Sequence, residues 1–307
     1  MRTVLLGPQR FRTTLGQVIG AVVPDGAVAT VTAGWQDREG NTGELDAILG
    51  GRGRHLNLYG RLSDVLETDR RFAEAALAHR DAVDELAGIY SARLHSALES
   101  VYSVQRRRHR PDLAEAALAD GVRVVRGIDR WYLETLDQLY GELQAAAPPE
   151  DSEPISRHRA EVAEALRQAA AVAIGGGHVG VLLRCLRLFD VDPPPQLPVI
   201  GWSAGAMCLT DRVVLYNDFG PRGAVGSEVW DRGLSRAPRI VALPHARRRL
   251  RLDDPMVLRV LVRRFADARC LLLDDGARVD LGPSGELPAG ARVIGDDGAV
   301  HNLQEPS

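Results

Sequence analysis

The sequence predicts an α/β fold in which a mostly parallel sheet is flanked by helices and interrupted by a helical insertion. Short apolar runs alternate with amphipathic stretches near both ends of the 307-residue chain, as parallel strands joined by crossover helices require. A long region between these two parts has helical periodicity alone. We therefore expect residues 1–62 and 156–307 to form one α/β domain and residues 63–155 to form the insertion.

The predicted elements of the α/β parts follow from their apolar runs. Strands are expected at residues 4–6, 27–33, 55–59, 171–174, 198–200, 213–216, 240–243 and 270–273. Helices are expected at residues 13–23, 157–169 and 179–189. Glycine-spaced runs in the tail predict small strands at a sheet edge, at residues 277–279, 291–294 and 299–301.

The insertion carries apolar residues about every three to four positions, which is the period of a long amphipathic helix. The first stripe consists of Phe72, Ala76, Val83, Leu86, Tyr90, Leu94, Ala97 and Val101. The second consists of Tyr132, Leu136, Leu139 and Leu143, and a turn-rich linker at 147–154 follows it. Such a stripe is either the face of a buried core or the seam of a homodimer, and the sequence leaves both open.

Composition excludes several classes of function. Hydrophobic residues make up 45% of the chain, and the net charge of -3 gives no overall attraction to nucleic acid or to an anionic membrane. No apolar stretch approaches the roughly 20 residues that span a bilayer, and the first residues lack the apolar core of a signal peptide. We therefore expect a cytoplasmic protein without a nucleic-acid or membrane partner.

Cysteine and lysine usage restricts the chemistry further. The cysteines Cys185, Cys208 and Cys270 have no metal-type spacing and are expected to be reduced core thiols. The chain contains no lysine, which excludes a Walker phosphate loop and a catalytic lysine. We expect neither a metal nor a cofactor.

The segment Gly201-Trp202-Ser203-Ala204-Gly205 follows a predicted strand and precedes a run that can start a helix, which is the setting of a nucleophile elbow. A serine on such a turn projects its hydroxyl into the cleft at the carboxyl end of the strand. The backbone N–H of Ala204 is expected to stabilise an oxyanion. We predict that Ser203 is a nucleophile.

A serine nucleophile needs a base, and His245 is the best placed of the eight histidines. It follows the strand predicted at 240–243, and the carboxyl ends of parallel strands meet at one cleft. A carboxylate should then hold the imidazole in the right tautomer and complete a catalytic triad. Asp218 is the first candidate, because it comes soon after a predicted strand, and Glu228 is its rival.

Two further groups of residues are candidates for the same cleft. The turn Gly175-Gly176-Gly177 lacks the spacing of a dinucleotide-binding loop, so Gly176 and Gly177 are expected to donate to an oxyanion, and His178 is expected at the cleft or its rim. Arginines after His245, including Arg247 and Arg249, could clamp a substrate carboxylate or form a solvated face. The basic run 106–110 is read as an exposed helix end.

These residues resemble the dipeptidase E and cyanophycinase family of serine peptidases. The matching segments are 174–177, 201–206, 243–245 and 272–276, within residues 1–62 and 165–303. The resemblance implies a class I glutamine amidotransferase-like, flavodoxin-like fold and a cofactor-free hydrolase with a Ser-His-acid triad. The implied substrates are short peptides with an aspartyl residue or an isoaspartyl link. The chain departs from the family pattern at His178, where an amide is usual, and in the insertion.

Other functions fit the residues less well. The α/β-hydrolase fold shares the elbow, but the segment between Ser203 and His245 is too short for the elements that separate these residues there. A glutamine amidotransferase would have cysteine at position 203. The alternative from another class is a non-catalytic, regulatory protein whose insertion binds a partner or forms a dimer.

Overall fold

The computed structural model describes residues 2–23, 25–219 and 226–304. Its strands, in chain order, are β1 (Thr3–Leu6), β2 (Ala27–Val31), β3 (Gly53–His55), β4 (Ala169–Ile174), β5 (Val199–Trp202), β6 (Arg212–Leu215), β7 (Glu228–Arg232), β8 (Ile240–Pro244), β9 (Arg269–Leu273), β10 (Arg278–Asp280), β11 (Arg292–Ile294) and β12 (Val300–Asn302). Its α-helices are α1 (Leu15–Val22), α2 (Gly43–Leu49), α3 (Leu58–Thr68), α4 (Arg70–Gln105), α5 (Pro111–Ala146), α6 (Glu153–Arg167), α7 (Val179–Leu188), α8 (Ala204–Cys208), α9 (Ala246–Arg249) and α10 (Pro255–Arg264).

The central sheet has six strands in the order β10-β1-β5-β4-β2-β3. Strands β1, β5, β4, β2 and β3 run parallel to one another, and β10 pairs antiparallel to β1 at the edge. This is the mixed α/β architecture with a mostly parallel sheet that the alternating apolar runs predict. The carboxyl ends of β4 and β5 lie side by side, so the residues that follow them share one edge of the sheet.

A second sheet carries the C-terminal strands in the order β12-β11-β9-β8. Strands β8 and β9 are parallel, whereas β11 pairs antiparallel to β9 and to β12. Strands β6 and β7 form a separate antiparallel pair. Of the predicted tail strands, β10 and β12 therefore lie at sheet edges as expected, whereas β11 lies between β12 and β9.

The predicted strand at 55–59 is wrong. Strand β3 ends at His55, and α3 begins at Leu58 after Asn57, whose φ of 49° is left-handed. The apolar residues Leu58, Leu62 and Val65 recur with helical spacing and are all buried. The run that looked like a strand is thus the end of a strand and the first turn of a helix. Strand β7 was not predicted, because its alternation with charged residues resembles a loop.

Helices α4 and α5 form a long hairpin that packs against the second sheet and the β6-β7 pair. Most buried residues of the two stripes belong to one core cluster with Val214, Val241, Leu243 and Leu272 of these strands. Phe72 and Ala76 pack instead into the core around the central sheet. The protein's own strands therefore cover the apolar stripe, and no dimer is required to bury it. Within the described ranges, no helix is both long and apolar enough to cross a membrane.

A buried ion pair joins the hairpin to the rest of the protein. Arg264 of α10 donates two hydrogen bonds to the carboxylate of Asp129 on α5, at 2.7 and 2.5 Å. The hydroxyl of Tyr90 on α4 donates to Asp129 at 2.8 Å and accepts from Arg264 and from the Val229 amide. Because every member is hydrogen-bonded, the network tolerates the burial of two charges.

Replacing Asp129 with alanine is expected to lower the free energy of unfolding by about 3–5 kcal/mol, because Arg264 would stay buried without a counterion. Urea denaturation of the purified variant measures this change. Asp120→Ala is the matched control, since Asp120 pairs with Arg123 on the exposed face of the same helix. Equal stability of the two variants would show that the buried pair does not hold the hairpin in place.

Candidate active site

Ser203 lies on a strained turn between β5 and α8, with φ 53° and ψ -118°. A Cβ on Gly205 would lie 2.2 Å from the carbonyl oxygen of Ile174, and one on Gly201 would lie 2.7 Å from Leu209. Only glycine fits these two positions without moving the backbone or a buried side chain. The two glycines of the G-x-S-x-G segment therefore permit the elbow that holds the serine at the sheet edge.

His245 follows β8 and also has a left-handed backbone, with φ 58°. Its amide donates to the carbonyl of Leu273 at 3.1 Å, which continues the β8-β9 ladder to the histidine itself. Its Nε2 lies 3.5 Å from the Ser203 Oγ. This distance is the outer limit of a hydrogen bond, and such catalytic contacts are often long before substrate binds. The structure thus brings the two predicted residues together from different sheets.

Gly176 lies against the serine. A Cβ at this position would be 2.9 Å from the Ser203 Cβ and 3.3 Å from its Oγ, so a side chain here would displace the hydroxyl. Ala204 is the first residue of α8, and its amide is among those that have no intrahelical partner. Gly176 and Ala204 therefore both lie directly beside Ser203.

Gly177 and His178 serve the turn between β4 and α7. Gly177 has φ 108°, and a Cβ there would lie 2.2 Å from the carbonyl oxygen of Gly34. The His178 amide donates to that same carbonyl at 2.7 Å. The exposed His178 ring caps α7, because its Nδ1 accepts a hydrogen bond from the Val181 amide at 3.2 Å. The role of His178 that the structure supports directly is that of a helix cap.

The two acids predicted for the triad have other partners. The buried Asp218 carboxylate accepts from the Arg251 amide at 2.9 Å, and burial raises the pKa of Asp218. Glu228 accepts from the hydroxyl of Ser91 on α4 at 2.8 Å. Within the described residues, neither acid is hydrogen-bonded to His245. The prediction of Asp218 assumed a parallel strand, whereas β6 and β7 form their own antiparallel pair.

Asp274 and Asp275 are the carboxylates beside the histidine. They follow β9, and the register that pairs Pro244 with Leu273 places the next residues, His245 and Asp274, next to each other. The Asp274 carboxylate accepts from the Arg247 amide at 3.0 Å and from the Arg292 guanidinium at 3.1 Å. Asp275 differs, because its Oδ1 is buried and has no hydrogen-bond partner in the described part of the chain.

The sequence prediction missed these two acids because it considered only the carboxylates between Ser203 and His245. The available signal was the segment 272–276, which ends the strand after the histidine. Parallel strands that are neighbours in the chain end at the same edge, so this carboxylate pair could have been found by the same argument as His245.

Burial lowers the pKa of His245, and the nearby cation Arg249 lowers it further, whereas the Asp275 and Asp274 charges oppose both effects. The net shift is downward from the ordinary value of about 6.5. The imidazole is therefore mainly neutral at pH 7, which is the form that accepts a proton from a serine.

Arginines surround the histidine on its exposed side. The Arg247 guanidinium lies 3.5 Å from Asp274, and that of Arg248 lies 3.6 Å from Asp275 and stacks over the exposed ring of Phe11. The Arg249 side chain is exposed and makes no hydrogen bond or ion pair with the residues that the structure describes. The Arg249 guanidinium, which acts electrostatically on His245, is therefore available to bind a ligand.

Comparison with known families agrees with this arrangement. The model of peptidase family S51 matches residues 124–231, which include the elbow and the Gly175-Gly176-Gly177 turn but end before His245. The match begins inside α5, in the region predicted to be an insertion. No match was found among curated proteins. Over residues 124–231 the chain is therefore similar to peptidase family S51, the dipeptidase E and cyanophycinase family that its motifs resemble.

Proposed function

We propose that the protein is a serine peptidase that cleaves a small peptide, isopeptide or amide through an acyl-enzyme on Ser203. The observation that carries this proposal is the 3.5 Å approach of the Ser203 Oγ to the His245 Nε2, on an elbow that two glycines permit. The match to a peptidase family supports the same reaction class.

The chemistry follows from these positions. The neutral His245 Nε2 takes the hydroxyl proton of Ser203 while the Oγ attacks the scissile carbonyl. The oxygen of the tetrahedral intermediate accepts hydrogen bonds from the Gly176 and Ala204 amides. The imidazolium then protonates the leaving amine, and water, activated by the same imidazole, releases the acyl group. Each step moves one proton between His245 and the reacting atoms.

Asp275 is the proposed third member of the triad. Its buried Oδ1 has no hydrogen-bond partner in the described structure, and its negative charge favours the protonated form of His245. A carboxylate in this position stabilises the imidazolium that forms during attack. Asp274 is the weaker candidate, because its oxygens already accept from Arg247 and Arg292.

The proposed substrate carries a carboxylate near the scissile bond. Arg249 supports this, because its guanidinium is exposed, lacks a partner among the described residues and acts electrostatically on His245. Arg247 contributes less, since Asp274 already neutralises part of its charge. The family resemblance implies aspartyl or isoaspartyl peptides, which agrees with a cationic rim.

The dependence of kcat/KM on pH is expected to show an acid limb below pH 6.5, because protonation of His245 removes the base and its pKa is lowered. The variant Arg249→Gln should move this limb to higher pH, since removing a nearby cation raises the pKa of His245. Arg130→Gln, at an exposed position of α5, is the control that should leave the limb in place. An unshifted limb in Arg249→Gln would mean that this arginine does not act on the catalytic imidazole.

The test of the proposed function is mass-spectrometric detection of cleavage across aspartyl dipeptides, isoaspartyl dipeptides and simple amides. Cleavage of the acidic substrates that depends on Ser203 would establish both the reaction and the substrate class. Cleavage that prefers uncharged amides would retain the hydrolase and reject the role of the arginines in recognition.

A further inference from the structure

A cavity of about 630 Å³ lies between the α4-α5 hairpin, α7 and the loop that follows α7. Ser203, Gly176 and His245 do not line it. The cavity reaches Val199 at the beginning of β5, and it also reaches Ile174 and Leu209, which lie against the glycines of the elbow. Its lining residues differ from the candidate catalytic residues, so the cavity and the cleft are separate sites on neighbouring parts of the sheet. Its volume falls in the range of small-molecule sites, about 300–1,000 Å³.

The walls combine apolar side chains with guanidinium groups. The apolar residues come from the hairpin, the sheet and α7, and include Phe72, Leu143, Ile174, Leu186, Leu209 and Leu234. The basic residues are Arg159, Arg184, Arg187 and Arg236. An apolar wall with a few convergent cations suits a ligand that has an apolar body and an acidic group.

Arg184 is the unusual member of this set. It is half-buried, and it has no hydrogen bond or ion pair with any residue in the described ranges. Burial lowers the pKa of Arg184, and the like charge of Arg80 lowers it further. A guanidinium taken partly out of water without a counterion is costly, and buried charges in proteins are normally paired.

Arg236 and Arg159 also carry positive charge into the cavity wall. Among the described residues, their side chains donate hydrogen bonds to carbonyl oxygens. The two Nη atoms of Arg236 donate to the carbonyls of the loop at 193–197, and its buried Nε has no hydrogen-bond partner among the described residues. The Arg159 Nε donates to the Leu188 carbonyl at 2.8 Å. Hydrogen bonds to neutral carbonyls do not neutralise a positive charge, so the exposed Asp192 is the carboxylate that acts on Arg236.

The carboxylates near the cavity do not neutralise this charge. Arg187 is paired with Asp231 at 2.8 Å, and the lining residue Asp137 is paired with Arg232 at 2.8 Å. Two further lining acids, Asp190 and Asp192, are exposed, and Asp192 acts on Arg236 but not on Arg184. The interior of the cavity is thus cationic around Arg184.

We propose that this cavity binds a small organic carboxylate, with its apolar body against the walls and its carboxylate on Arg184. The site goes beyond the proposed peptidase activity and does not depend on Ser203. A bound carboxylate supplies the counterion that none of the described residues provides for Arg184.

Isothermal titration calorimetry of the full-length protein with octanoate and with octan-1-ol tests the site. Octanoate is expected to bind saturably, and the neutral alcohol at least about ten-fold more weakly, because it lacks the charged partner. Arg184→Gln should weaken octanoate about ten-fold or more and leave the alcohol unchanged. Arg130→Gln and Ser203→Ala are the controls that should bind octanoate like the wild type.

Removing an unpaired, half-buried charge should leave the Tm of the ligand-free protein unchanged or raised, which separates a ligand role of Arg184 from a structural one. Arg184→Met keeps an unbranched stem without the guanidinium, and it replaces the glutamine variant if that variant does not fold. Equal affinity for octanoate and octanol, absence of octanoate binding, or unchanged octanoate affinity in both Arg184 variants would overturn the proposal. Loss of octanoate binding in Ser203→Ala would assign the carboxylate to the peptidase cleft instead.

Discussion

Replacing Ser203 with alanine is expected to lower kcat by about a million-fold on any substrate that the protein cleaves. Loss of a serine nucleophile has this size of effect because the acyl-enzyme can no longer form and only binding and oxyanion stabilisation remain. The measurement is turnover of the best substrate of the panel by mass spectrometry, with wild-type and variant protein prepared in parallel.

The control for this variant is Ser96→Ala. The Ser96 hydroxyl is exposed on α4 and donates to the carbonyl of its own helix, so its loss should leave turnover unchanged. Circular dichroism should show that Ser203→Ala retains the fold, since the backbone of the elbow is unchanged. Turnover that survives in Ser203→Ala would reject the acyl-enzyme on Ser203.

Replacing Asp275 with asparagine is expected to lower kcat by about ten-thousand-fold with little change in the fold. An amide has nearly the shape of the carboxylate but cannot stabilise the imidazolium of His245, and it favours the wrong tautomer of the ring. The removal of this negative charge should also lower the pKa of His245, because Asp275 raises it in the native protein.

Asp218→Asn and Glu228→Gln are the matched comparisons for Asp275→Asn. Both acids are hydrogen-bonded elsewhere, Asp218 to the Arg251 amide and Glu228 to the Ser91 hydroxyl, so each variant should retain kcat within about ten-fold. Full loss of turnover in Asp218→Asn, with near-normal turnover in Asp275→Asn, would identify Asp218 as the triad acid, as the sequence predicted. Loss in Asp274→Asn alone would assign the role to its neighbour.

The cationic cavity and the cleft are formed by different parts of the chain. The cleft is built from strand ends of both sheets, whereas the cavity needs the α4-α5 hairpin as one of its walls. A ligand in the cavity would contact the hairpin and α7 together. Its binding is therefore expected to add to the stability of that contact by mass action.

The sequence by itself determined the fold class, most strand positions and the pairing of Ser203 with His245. A serine motif and a histidine that each follow an apolar strand were expected to share one cleft, and in the structure they meet at 3.5 Å although their strands belong to two sheets. The match to family S51 confirms the resemblance and contains two of the four segments from which it was identified, 174–177 and 201–206. Local patterns suffice for the strands and the elbow, because each of these depends on residues close together in the chain.

The tertiary structure alone decided which carboxylates approach His245, what covers the apolar stripe, and that a cavity with an unpaired arginine exists. Asp218 and Asp275 look alike in sequence, and only the sheet to which each strand belongs separates them. The stripe of α4 and α5 would suit a partner equally well, and only packing against Val241 and Leu243 shows its role. These features depend on contacts between distant segments, which hydrophobic periodicity does not encode.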